Sequence, residues 1–490
     1  MTEEHFFHRP ELVRLLDGVL GKTLGEVDRS RVFDRAGDAP KVTGIAGAVV
    51  EQSVLGFPAD NAQRPDLDVD GVKTELKTTG LRETARSAAG YAAKEPMSIT
   101  AVSLGKIVDE RFETSSFWHK LEHMLIVYYL YTSKTAVPAR GYADFPIVGY
   151  EFLSFSPADV ACLKNDWELV RDFVRRAQRS PDPGREYARL SSALRKDLLY
   201  IDTAPKYPHP PRFRLKASVV TCAAQAHFGQ RLEQLPGRFS SYRDIDDRCR
   251  ALAAQYGGRT VGELLRLLGV RPDGEEDPRR TASKAVSEQL VVAMFGGRSK
   301  KLSRVELFQK IGLRGKTVVL TAGGARTEDM KLFAVDFGEW LDQDAVFETS
   351  ALHDYFAHHQ LLCAVFREPS PKAPLTDNVF VGFKRLSFDA AFLHNEVYPL
   401  WRAVRATVLE GRLAERPVLG PDGLPRINKN GAVQTSVNFP KSRDGVLFLR
   451  GSGADSGDKP VELSGVRMYR QSVWIRGSYI ARLLDVTPSP

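Results

Sequence analysis

The chain has 490 residues, 43% hydrophobic and 27% charged, with 69 Lys and Arg against 61 Asp and Glu for a net charge of +8. That length calls for two or three domains of a soluble globular class, and the basic balance suits a polyanionic partner. No apolar run approaches the roughly 18 residues that span a bilayer. Met1-Thr2-Glu3-Glu4-His5 lacks the basic-then-apolar order of a signal peptide. The four cysteines are too scattered for a disulfide framework or a structural zinc site, so a cytoplasmic protein without membrane contact is expected.

Apolar residues at helical spacing predict a helix over 11–20, and Thr23 reads as the N-cap of a short second helix. A further helix over 43–55 carries Glu51. A loop over 56–65 leads into the stretch 66–77, and a polar loop is expected over 80–95. Residues 98–102 read as a strand, and 112–115 lead into a helix starting at Ser116. The run 124–130 reads as a buried strand and 148–155 as another. Ser156-Pro157 opens a helix that carries Trp167 and runs to about Arg176.

The stretch 66–77 holds the chemistry. Glu75-Leu76-Lys77 sits on a strand whose side-chain period of two sends Glu75 and Lys77 to one face. If Asp66 ends a neighbouring strand or turn, two carboxylates and an ammonium converge. Two carboxylates can hold a hard divalent cation such as Mg2+, and the lysine can orient an attacking water beside it. That is the equipment of a metal-dependent phosphodiesterase. The plain alternative is an amphipathic strand with a solvated face.

The second half replays the first. Gly21-Lys22-Thr23-Leu24-Gly25-Glu26 returns 237 residues later as Gly258-Arg259-Thr260-Val261-Gly262-Glu263. Phe112-Glu113-Thr114-Ser115 returns 235 later as Phe347-Glu348-Thr349-Ser350. Val148-Gly149-Tyr150 returns 233 later as Val381-Gly382-Phe383, each followed by a helix with a tryptophan, Trp167 or Trp401. Residues 215–220 are taken to echo in 470–475. Matching Lys73-Thr74 with Lys316-Thr317 sets Val318 against Glu75 and Leu320 against Lys77, which predicts a second copy without catalytic groups.

Pro65-Asp66, Glu75-Leu76-Lys77-Thr78, and Phe112-Glu113-Thr114-Ser115 with His119-Lys120-Leu121 resemble the MutH-type branch of the PD-(D/E)xK nucleases. The duplicated layout resembles the two-domain restriction endonucleases that cut at GATC. The resemblance implies a mixed α/β fold, in which a duplicated restriction-endonuclease-like domain has a central mixed sheet flanked by helices. It implies a catalytic domain over 1–240 and an inactive, DNA-binding or regulatory domain over 241–490. It makes Asp66 and Glu75 the ligands of Mg2+ and Lys77 the residue that positions water. Glu51 is either an additional catalytic carboxylate or an exposed helix glutamate. Lys120, Arg214 and Lys216 match positions associated with DNA contact; for Lys120 the alternative is a helix-surface lysine.

The expected activity is Mg2+-dependent type II cleavage of double-stranded DNA at GATC, with pairing of two chains on DNA. A partner-activated nicking endonuclease of mismatch repair and a non-catalytic DNA-binding protein are the alternatives. The Gly-x-x-Gly-Lys-Thr runs at Gly18 and Gly312 are two residues too short for a phosphate loop.

Overall fold

The computed structural model describes residues 5–36, 44–58, 64–84, 90–133, 136–204, 207–271, 284–326, 328–343, 345–428, 431–455 and 457–486. The chain forms two compact units, Met1–Arg248 with Val292–Arg314, and Cys249–Val291 with Gly315–Pro490. Residues 292–314 are thus part of the first unit. Among the described residues no helix is long and apolar enough to cross a membrane.

The first unit is built on a mixed sheet ordered Phe6–Phe7, Leu67–Val69, Val72–Glu83, Met124–Leu130, Ile147–Leu153. Leu67–Val69 and Val72–Glu83 form a hairpin whose register pairs Val69 with Val72, Asp68 with Lys73 and Leu67 with Thr74. Its two-residue turn is Asp70-Gly71, with φ of 49° and 86°. A turn with two positive φ values follows the right-handed twist of the strands, which is why Asp-Gly forms it so readily. The Asp70 carboxylate also accepts from the Arg9 backbone N–H at 3.1 Å and meets His8 Nδ1 at 2.9 Å. Gly71→Val is expected to cost about 1–2 kcal/mol, because a β-branched side chain is strained at this φ. Urea denaturation checks it; unchanged stability would show that the turn does not set the register.

Val72–Glu83 runs parallel to Met124–Leu130, with Glu75 opposite Met124 and Leu81 opposite Leu130. Its distal half also pairs with Tyr91–Ala93, so strands replace much of the polar loop expected over 80–95. Both edges of the strand are hydrogen-bonded there, which the local sequence does not reveal. The helix expected over 43–55 is α-helical at Ile45–Val49 and passes into a π-turn at Val50–Val54; residue 43 lies outside the described residues. Leu76, Leu125, Val127 and Tyr129 bury one sheet face against Leu12, Leu16, Leu24, Ile45 and Val49. Strand alternation sends Glu75 and Lys77 to the other face. A second, antiparallel sheet joins Met97–Ala101, Arg212–Leu215 and Ile201–Ala204.

The second unit repeats these devices. Its sheet orders Leu313–Leu320, Gln360–Arg367, Val379–Leu386, and a second one orders Met330–Ala334, Arg470–Ile475, Leu447–Ser452. Thr23 with Glu26 and Thr260 with Glu263 both close capping boxes, which satisfy the first N–H groups of their helices. Ser115 and Ser350 both cap a helix after a 3-10 turn, accepting from the N–H groups of Trp118 and His353 at 3.1 Å. Tyr128 faces Gly149 and Val365 faces Gly382, each just before a bulge in the strand pair. Val318, Leu361, Val365, Trp401 and Val473 belong to the core of this unit.

These bulges correct the expected register between the copies. With Tyr128 matched to Val365, the bond from Tyr131 N to Leu81 O corresponds to that from Glu368 N to Leu320 O. Leu320 therefore corresponds to Leu81, not to Lys77. Counting back six and four residues sets Arg314 against Glu75 and Lys316 against Lys77. Similarly, Leu215 pairs with Met97 as Ile475 pairs with Met330, so Ile475 is the counterpart of Leu215. Short alternating strands match in several registers by sequence, and only the partner strand selects one.

Candidate active site

Extending the hairpin register by one residue places Asp66 opposite Glu75, with side chains on the same face. Asp66 Oδ2 accepts the Leu76 N–H at 3.0 Å, which ties the aspartate to the strand. Its carbonyl oxygen lies 3.0 Å from His5 Nδ1. Glu75 is 0% exposed, and its N–H donates to the His123 carbonyl at 2.9 Å. Lys77 Nζ stands 2.6 Å from Glu75 Oε1. Lys120 Nζ stands 3.0 and 2.9 Å from the two Glu75 oxygens.

Lys120 follows the short helix Ser116–His119, whose start is fixed by the Ser115 cap. It is 6% exposed, so its ammonium is turned into the site instead of lying on a helix surface. Asp66, Glu75, Lys77 and Lys120 carry no net charge together. Burial raises the Glu75 carboxyl above its ordinary range; Lys77 and Lys120 pull it down, and Asp66 pushes it further up.

The donor set fits a hard divalent cation. Each carboxylate oxygen has two lone pairs. Glu75 Oε1 accepts from both lysines, but Oε2 accepts from Lys120 alone. Asp66 Oδ1 accepts no hydrogen bond from the described residues. Open lone pairs therefore remain on both carboxylates, one on Glu75 and three on Asp66. No cage of three or more His, Cys, Asp or Glu is gathered among the described residues. Mg2+ commonly takes one or two carboxylates and completes its shell with water and substrate phosphate oxygens.

The remaining expected site residues are Glu51, Arg214 and Lys216. Glu51 is half-buried on the π-turn Val50–Val54, which continues the helix that packs under the hairpin. Arg214 belongs to the second sheet and donates through Nε to Asp202 Oδ1 at 2.6 Å. Lys216 is 6% exposed and donates to the Leu198 carbonyl at 2.5 Å. The expected DNA contact of Lys216 thus gives way to an internal role, because its ammonium faces the interior. Sequence reasoning also missed the Asp70-Gly71 turn, although Asp-Gly between two alternating runs is a hairpin signal.

An aspartate and a Glu-x-Lys strand brought together by a hairpin match the residue pattern of a PD-(D/E)xK nuclease centre. Residues 55–166 match the family model described as DNA mismatch repair enzyme MutH, and the match spans Asp66, Glu75, Lys77 and Lys120. This segment is similar to the MutH-type endonucleases. The similarity extends beyond it: the chain is 22% identical over 470 residues to the type II restriction enzyme Sau3AI of Staphylococcus aureus. That alignment covers 88% of this chain and 90% of the relative, hence both units.

Proposed function

We propose that the chain is a type II restriction endonuclease that hydrolyses phosphodiester bonds of double-stranded DNA at GATC with Mg2+. The observation that carries this reading is the hairpin register, which sets Asp66 beside Glu75 with Lys77 on the same face. The end-to-end similarity to a type II restriction enzyme favours double-strand cleavage over partner-activated nicking. Asp66 and Glu75 would hold the cation, which when bound supplies charge stabilisation at the scissile phosphate. Lys77, with a side chain 21% exposed, is the more accessible of the two ammoniums and donates a hydrogen bond that orients the attacking water. Lys120 stays on Glu75 and keeps its carboxylate ionised and aimed.

Catalysis is assigned to residues 1–240, and 241–490 serve DNA binding or regulation without nuclease activity. In the second copy Lys316 stands at the position of Lys77, but Arg314 stands where Glu75 does. The segment before its strand is the helix Glu306–Lys310, so no hairpin there offers an aspartate across the strand. A guanidinium cannot ligate a cation. With one active centre per chain, two chains pairing on a two-fold GATC site would cut both strands.

Incubation of the purified chain with unmethylated plasmid and Mg2+, followed by sequencing of the ends, tests the reading. Both strands are expected to be cut at GATC without an added partner. Intact plasmid under Mg2+ and Mn2+, or ends unrelated to GATC, would overturn the activity or the specificity respectively.

A further inference from the structure

A second candidate site lies in the second unit. Where the first unit passes from its Trp167 helix into the helix Pro183–Leu194, the second passes from its Trp401 helix into a two-stranded ribbon, Glu415–Pro417 with Thr435–Val437. The base of this ribbon and the sheet strands Leu447–Ser452 and Arg470–Ile475 enclose a cavity of about 330 Å³. Lys441, Arg450 and Lys459 line it, against one carboxylate, Glu415.

Two of the three cations are already matched. Lys459 pairs with Glu415, and Arg450 pairs with Asp329 at 2.6 Å while its guanidinium lies over the Phe448 and Trp474 rings. The Lys441 ammonium has neither a hydrogen-bond nor an ion-pair partner among the described residues. Burial lowers it to about 8; Asp444 opposes that shift, and Arg443 and Arg450 add to it. Gln471 is 3% exposed, and its Nε2 donates to the Tyr469 carbonyl at 2.9 Å. That bond fixes the amide's orientation and leaves Oε1 buried with no donor. A buried acceptor without a donor costs about 1–3 kcal/mol, so such a group marks a place where a partner belongs.

The cavity therefore offers an unneutralised ammonium beside a guanidinium, the hydroxyls of Ser436 and Ser442, and a buried acceptor that needs a donor. Its volume is that of a small-ligand site. We infer that this cavity binds a phosphate-bearing ligand of mononucleotide size, with the phosphate on Lys441 and Arg450 and an N–H or O–H of the ligand on Gln471 Oε1. The ligand is either a free nucleotide or one nucleotide of a DNA strand.

Isothermal titration of the full chain with deoxynucleoside monophosphates, the matching nucleosides, inorganic phosphate and a short duplex tests this. The monophosphates should bind, the nucleosides should not, and inorganic phosphate should bind more weakly. Lys441→Met should weaken monophosphate binding at least about tenfold. Gln471→Leu should weaken monophosphates while leaving inorganic phosphate unchanged. A duplex that displaces the monophosphate, and does so less well in Lys441→Met, identifies the strand as the source; a duplex that leaves it bound identifies the free nucleotide. Equal binding of nucleoside and nucleotide to the unaltered protein overturns the inference, as does binding unchanged in a folded Lys441→Met variant. Absence of any monophosphate or Lys441-dependent duplex binding at millimolar concentration also overturns it.

Discussion

Glu75→Ala is expected to lower DNA cleavage about 10³-fold or more, the equivalent of about 4 kcal/mol of transition-state stabilisation. The carboxylate is at once a proposed cation ligand and the anchor of two ammonium groups, so its loss dismantles the centre from both sides. It also leaves Lys120 buried without its counter-charge, which by itself can cost about 3–5 kcal/mol of stability. Lys77→Ala separates the two effects, because Lys77 reaches solvent and can leave the site without stranding a buried charge. That variant should fold normally and cut about 10²–10⁴-fold more slowly, with DNA binding retained. Undiminished cleavage in a folded variant of either residue would remove the site assignment. The acid limb of the cleavage rate should lie above the ordinary glutamate value of 4.5, because burial raises Glu75 and the ionised form is the active one. Lys120→Met removes one of the two cations that oppose this rise, so it should move the limb to higher pH. The same raised value makes Glu75 favour the fold in acid, and that contribution is lost as pH rises through it.

Asp166→Ala should cost the first unit about 3–5 kcal/mol of stability by urea denaturation. Asp166 is fully buried on the helix Pro157–Gln178 and accepts the N–H groups of Leu199, Tyr200 and Ile201 at 2.9, 2.7 and 3.1 Å. These three donors start the strand Ile201–Ala204, and alanine leaves all of them unpaired. Asp166 also opposes the burial that pushes the nearby Lys216 ammonium down. Asp166→Asn keeps one acceptor and should lose less. A change below about 1 kcal/mol in the alanine variant would show that water replaces the carboxylate without loss. In the second unit Leu400 stands 234 residues after Asp166, one before Trp401, so the device has no counterpart there.

The caps were legible because each rests on residues three apart. Thr23 with Glu26 and Thr260 with Glu263 could be read twice, and both boxes are closed. The run 124–130 was legible as a buried strand from its unbroken apolar, β-branched and aromatic content, and it is the interior strand Met124–Leu130. The strand 80–83 and its partner Tyr91–Ala93 were not, because pairing to a distant strand, not local composition, makes them regular. The register between the copies failed for the same reason. Lys-Thr occurs at Lys73-Thr74 and again at Lys77-Thr78, and only the shared bulge and the bonds to Leu81 and Leu320 choose the second.

By itself the sequence determined which chemistry is present: Asp66, Glu75 and Lys77 at a spacing that one hairpin and a period of two can gather. It also determined the duplication, since caps and turns repeat as local signals. Tertiary structure decided where each charge ends. Lys120 and Lys216 look alike as lone lysines near apolar runs, yet one ammonium is set on Glu75 and the other on a backbone carbonyl. Burial and partner are properties of packed neighbours from distant parts of the chain, which is why no local pattern could assign them.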